Sequence, residues 1–119
     1  MTPNLSLHSP LHAHLYHSRE HTAAKLDDRI RFGRELLDEN LSDEDGLERL
    51  KQRERGWHDY NLLLLRTLFR EPTAASRYGA PTGEEGYGRG PLDERTEQVK
   101  FRIAVKVMRL ESLRKDLVV

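Results

Sequence analysis

Apolar residues recur every three or four positions along three stretches of the chain. In the first, Ala23, Leu26, Ile30, Gly33 and Leu37 form a stripe that Leu36 and Leu41 widen. That spacing predicts an amphipathic helix over 18–40. Opposite charges four apart (Asp27/Arg31, Arg31/Glu35 and Arg34/Asp38) support its exposed face. Ser18 or Thr22 suits its start and Asn40 its end. In the second stretch, Ser42 precedes Asp43, Glu44 and Asp45, an N-terminal signal in which Ser42 would cap and the acids face the positive end of the helix dipole. A helix over 43–71 follows, with Pro72 as its stop. At ~1.5 Å rise per residue it is a rod of roughly 40 Å.

The seam of this second helix reads Leu47, Leu50, Glu54, Trp57, Asn61, Leu64, Leu68, a heptad-like repeat with two polar members. Leu62, Leu63, Leu65 and Phe69 broaden its C-terminal half. A helix that is apolar most of the way round is normally surrounded by others. Leu64, Leu65, Leu68 and Phe69 offer more width than two thin helices cover, so the sequence predicts at least a dimer with this helix at its centre. Gly33 would let a neighbouring helix approach closely, with Trp57 across the gap. Asn61 in an apolar seam would fix register or partner number.

The third stretch carries two patterns. Val99, Phe101, Ile103, Val105 and Val107 alternate with Lys100, Arg102, Ala104 and Lys106, as in a strand. Val99, Ile103, Val107, Leu110, Leu113 and Leu117 follow a helical period instead. No other segment alternates, so a strand here would need dimeric pairing. Pro91 at the first position and Asp93 and Glu94 in the first turn favour a helix over 91–117. Residues 72–90 hold five Gly and two Pro and predict a long flexible loop, with one helical turn at Ala74 to Arg77 as an option. Residues 1–17, with Pro3, Pro10 and no sustained period, predict a loose histidine-rich arm. The expected fold is all-α: one domain over 18–119, a long antiparallel helical hairpin plus a third C-terminal helix, as in a three-helix bundle.

Composition narrows the function classes. The 119 residues balance 20 basic against 20 acidic side chains, so no whole-chain field would attract nucleic acid or an acidic membrane. Without Cys, disulfides, thiolate metal sites and Cys nucleophiles are excluded. No apolar run approaches the ~20 residues of a membrane span, and the N-terminus lacks the pattern of a signal peptide. The expected location is the cytoplasm.

Candidate chemistry is sparse. His8, His12, His14, His17 and His21 cluster near the N-terminus, and His17 and His21, four apart, would share a helical face able to bind zinc or nickel. The bland reading, a histidine-rich arm without metal, is preferred, and no cofactor is expected. Gly83, Gly86, Gly88 and Gly90 lack the Gly-Lys-Ser/Thr of a phosphate loop and no strand leads into them. Arg53 followed by His58 has the spacing of the HEPN ribonucleases, all-helical proteins in which Arg and His cleave RNA. It departs from them in having Glu54 after the Arg and in lying mid-chain. The simpler reading is a solvated face beside a buried Trp57.

The run from Leu26 to Phe69 also resembles a helical module of bacterial antiphage-defence proteins. It is carried by Arg29, Gly33, Leu36 and Leu37 in the first helix, then Trp57, Tyr60, Asn61, Leu64, Leu65, Leu68 and Phe69 in the second. In that family the module often precedes a TIR-like or other nucleotide-binding effector domain and serves assembly or sensing. The resemblance implies a non-enzymatic interaction module that self-associates or docks a separately encoded effector, since the chain ends at Leu117-Val118-Val119. A HEPN-like toxin using Arg53 and His58, and a metal- or nucleic-acid-binding accessory protein, are the alternatives.

Overall fold

A computed structural model describes residues 15–83 and 90–117. Its regular elements are α-helices: α1 (Arg19–Leu37), α2 (Glu44–Leu68), α3 (Thr73–Gly79) and α4 (Leu92–Asp116).

Ser18 caps α1, its side chain accepting from the His21 N–H at 3.0 Å. The helix buries Ala23, Leu26, Ile30, Gly33 and Leu36, whereas Leu37 is only half-buried. It ends at Leu37, short of Asn40: the Asp38 N–H is shared between the Arg34 and Glu35 carbonyls, and the Glu39 N–H donates to Leu36 in the tighter i→i−3 pattern. At the start of α2 the cap is Asp43 rather than Ser42; its carboxylate accepts from the Gly46 N–H at 2.8 Å. A carboxylate at this position also meets the positive helix end directly.

Three expectations are corrected around the end of α2. The helix stops at Leu68, not at Pro72: Phe69 is extended (φ −115°, ψ 138°) and pairs as an isolated antiparallel bridge with Leu15. The Tyr16 N–H donates to the Leu68 carbonyl at 3.0 Å, and Arg70 reaches the Leu15 carbonyl at 3.3 Å and lies over the Tyr16 ring. Residues 15–17 are therefore anchored, not part of a loose arm. The segment after Pro72 forms a seven-residue helix, α3, which buries Ala74, Ala75 and Tyr78. This helix packs on both α2 and α4. Leu65, Leu68 and Phe69 are buried within the single chain as a result, and Leu64 is half-buried. Part of the apolar width that argued for a dimer centred on α2 is taken up within the chain, although Leu63 on the same helix remains 58% exposed.

Residues 99–107 are helical. Val99, Ile103 and Val107 face the core with Leu110 and Leu113, while Phe101 lies exposed on the far side. The contacts order the helices. Arg29 meets Asn61 and Arg53 meets Glu39, so α1 and α2 run in opposite directions. Asp27 meets Arg114 and Lys100 meets the Glu39 carbonyl, so α4 also runs against α1; Glu44 with Arg95 and Glu54 with Arg102 set it parallel to α2. α4 thus carries an apolar stripe flanked by two polar edges, one facing α1 and one facing α2. Those edges are where a chain of low hydrophobic content holds its helices together.

Gly33 sits where the three long helices converge. A Cβ there would lie 2.5 Å from Trp57 Cζ2 and 2.6 Å from Val107 Cγ2. Trp57 fills this crossing, its indole N–H donating to the Arg29 carbonyl at 2.9 Å and its ring meeting Tyr78 edge-on.

Candidate functional site, a polar network and a cationic cleft

The two polar members of the α2 seam, Glu54 and Asn61, are both buried. Each is satisfied by side chains from other helices, as a buried polar group must be. Asn61 Oδ1 accepts from Arg29 Nε on α1 at 2.7 Å, which fixes its amide so that Nδ2 donates to the Tyr78 hydroxyl on α3 at 2.8 Å. Tyr78 Oη in turn lies 3.1 Å from His58 Nδ1, with the two rings stacked. Because the hydroxyl oxygen already accepts from Asn61, its own hydrogen is available to His58 Nδ1. The chain of contacts then runs Arg29, Asn61, Tyr78, His58, the direction of the last bond following the imidazole tautomer. Burial pushes the Tyr78 hydroxyl far above its usual range, so it remains a donor.

Glu54 anchors the other half of the site. Arg102 grips its carboxylate with two bonds, at 2.8 and 3.2 Å, and Lys106 adds a contact at 3.3 Å. Burial alone would raise the Glu54 carboxyl, but the Arg102 hydrogen bonds and the Lys106 charge outweigh it and hold the group below the usual carboxylate range. Lys51, Arg55 and His58 lie along the same flank of α2. With Glu54, Arg102 and Lys106 they line a cleft of ≈ 360 Å³ between α2 and α4.

Of the residues singled out from sequence, Arg53 and His58 are not brought together. Five residues apart on a helix, they point about 140° away from each other. Arg53 is ion-paired with Glu39 toward α1, while His58 faces α3 and the α4 cleft. His17 and His21 are exposed, their rings 4.6 Å apart. Among the described residues no third side chain joins them in a group able to hold a metal; His8, His12 and His14 lie outside the described residues. Gly83 and Gly90 have positive φ, and Gly86 and Gly88 fall outside the described residues. No helix among the described residues is long and apolar enough to cross a membrane. No family model, no curated protein and no solved structure matches this chain.

Sequence reasoning passed over Lys51, Arg55, Arg102, Lys106 and Tyr78. The one available signal was Glu54: a carboxylate at a seam position requires cations from a facing helix, and Arg102 and Lys106 are spaced four apart to supply them.

A pH effect follows from His58. Burial, then the charge of Lys106, lowers its pKa below the ordinary value, with Asp59 and Glu54 acting the other way. Between that lowered pKa and the ~6.5 of an unfolded histidine, the unfolded chain binds the extra proton. Stability should therefore be complete above about pH 6.5 and decline as the pH falls through the window below it. Urea midpoints at neutral and mildly acidic pH are expected to separate less in His58→Gln than in the parent; equal separation would contradict the assignment.

Proposed function

We propose that this protein is a non-enzymatic helical assembly module that pairs with a second copy through the outer face of α4. The observation that carries this reading is an exposed apolar ridge opposite the core. Phe101 and Met108, seven residues apart, remain 48% and 65% exposed, with half-buried Val105 between them. Large apolar side chains aligned on one helix face mark an interaction surface.

The sequence along this ridge favours a second copy laid antiparallel. Such a pairing, centred between Ala104 and Val105, sets Phe101 against Met108 of the other copy, a favourable sulfur–aromatic contact. It also sets exposed Glu94 against exposed Lys115. A parallel pairing would oppose Phe101 to Phe101 and Glu94 to Glu94. The non-enzymatic part of the reading is supported by the engagement of Arg53 with Glu39, away from His58. The bacterial defence setting rests on the resemblance of the Leu26–Phe69 region alone.

Sedimentation equilibrium tests the proposal. The parent is expected to run as a dimer. Met108→Glu, at an exposed position, should give a folded monomer, and Lys115→Glu should weaken the dimer. Restoration by Glu94→Lys in the Lys115→Glu background would identify the antiparallel pairing. A parent that stays monomeric at high concentration would defeat it, including the case in which the ridge serves a different protein.

A further inference from the structure

Charge is not balanced in the cleft between α2 and α4. Four cations line it: Lys51, Arg55, Arg102 and Lys106. Glu54 answers one of these charges from inside the cleft. Glu48, exposed and 3.6 Å from Lys51, answers a second from its rim. Among the lining residues cations outnumber carboxylates four to one. The Arg102 and Lys106 side chains are only 19% and 11% exposed, so this excess sits in a partly desolvated wall, where its attraction for an anion is stronger than on an open surface. The Arg55 guanidinium has no partner among the described residues. His58, bonded to the Tyr78 hydroxyl through Nδ1, also lines the cleft wall.

The geometry points to a binding site for a phosphate monoester of a small molecule, held by Lys51, Arg55, Arg102 and Lys106. A phosphate monoester carries nearly two negative charges at neutral pH, and its three oxygens suit guanidinium and ammonium donors. The cleft volume is at the lower end of the range for small-ligand sites, room for a phosphate with a modest appendage. A nucleic-acid strand is the poorer fit. The chain has no net charge, and exposed Glu48 and Asp59 lie on the same helix, so no basic track continues from the cleft along which a polyanion would lie. The cleft between α1 and α4, of ≈ 410 Å³, contrasts with it: there Arg34 is paired with Glu111 and Arg114 with Asp27. The phosphate cleft lies within one chain and does not depend on pairing through α4.

Amide and side-chain NMR titrations of the full chain with inorganic phosphate, adenosine monophosphate and, as control, sodium chloride test the site. Phosphate and the monophosphate should produce saturable shifts centred on these cleft residues that chloride does not reproduce; tighter binding of the monophosphate would show that the appendage is also recognised. Arg55→Ala, at an exposed position, should weaken binding about tenfold while leaving the fold intact. The opposite sign is expected for Glu54→Gln. Removing the internal carboxylate takes away the negative charge that Arg102 and Lys106 share, so phosphate should raise the thermal midpoint of this variant more than that of the parent. Bound phosphate should also raise the pKa of His58, whose neighbours are Lys106 on α4, Glu54 and Asp59 on α2, and Tyr78 on α3. Three results would each overturn the assignment: shifts that do not saturate or that chloride reproduces, Arg55→Ala binding as well as the parent, or a single-stranded oligoribonucleotide engaging these residues when the monophosphate does not.

Discussion

Replacing Trp57 with alanine is expected to cost about 3–5 kcal/mol of folding stability, read from urea unfolding. Trp57 is the largest buried side chain and stands at the crossing of α1, α2 and α4. Its removal empties that crossing, leaves the Arg29 carbonyl without its indole donor, and takes away the edge contact with Tyr78. The partner of this prediction is Gly33→Ala. The added methyl would overlap Trp57 and Val107, neither of which has a free path to withdraw from the core, so a loss of about 1–3 kcal/mol or more is expected. The two effects should not add. Once the indole is gone, one of the two obstructing groups is gone as well, and the double variant should be more stable than the sum of the single losses implies. A Trp57→Ala protein as stable as the parent, or strict additivity, would show that the crossing is not packed as described.

Glu54→Ala should be comparably damaging, at about 3–5 kcal/mol, for an electrostatic reason. The carboxylate is the shared counter-ion of two cations whose side chains are largely out of water, and removing it takes that charge from both. Replacing all three residues together, for example Glu54→Leu with Arg102→Met and Lys106→Met, should recover most of the loss, because an apolar set of similar volume leaves no unpaired charge. The acid limb of stability should report the same residue. With its folded pKa held below the usual carboxylate range, Glu54 contributes fully above about pH 4.5, and the contribution disappears as the pH falls through the lower folded value. The triple replacement should flatten that limb. A mild effect of Glu54→Ala with an unchanged acid limb would mean that Arg102 and Lys106 find solvent instead.

The reading of the seam shows where sequence sufficed. Leu47, Leu50, Trp57 and Leu68 were placed by period alone, and Glu54 and Asn61 were recognised as polar members of an apolar line. Their roles were not legible, because the partners that satisfy them are Arg102, 48 positions away, and Arg29, 32 positions away. Leu64 and Leu65 show the same boundary from the other side. Both belong to a broad apolar face, and only the packing of other elements on α2 decides that Leu65 is enclosed and Leu64 half-covered.

By itself, then, the sequence determined that the chain is helical and which face of each long helix turns inward. Helical period and capping are local properties, set by residues within a turn or two of each other. Three features waited for the tertiary structure: the short helix after Pro72, the extended Phe69 tied to Leu15, and the cationic cleft around Glu54. Each depends on how one element is rotated against another far away in the chain. That rotation is settled by fitting groups such as Gly33, Trp57 and Val107 into one space, and no pattern within a single segment records it.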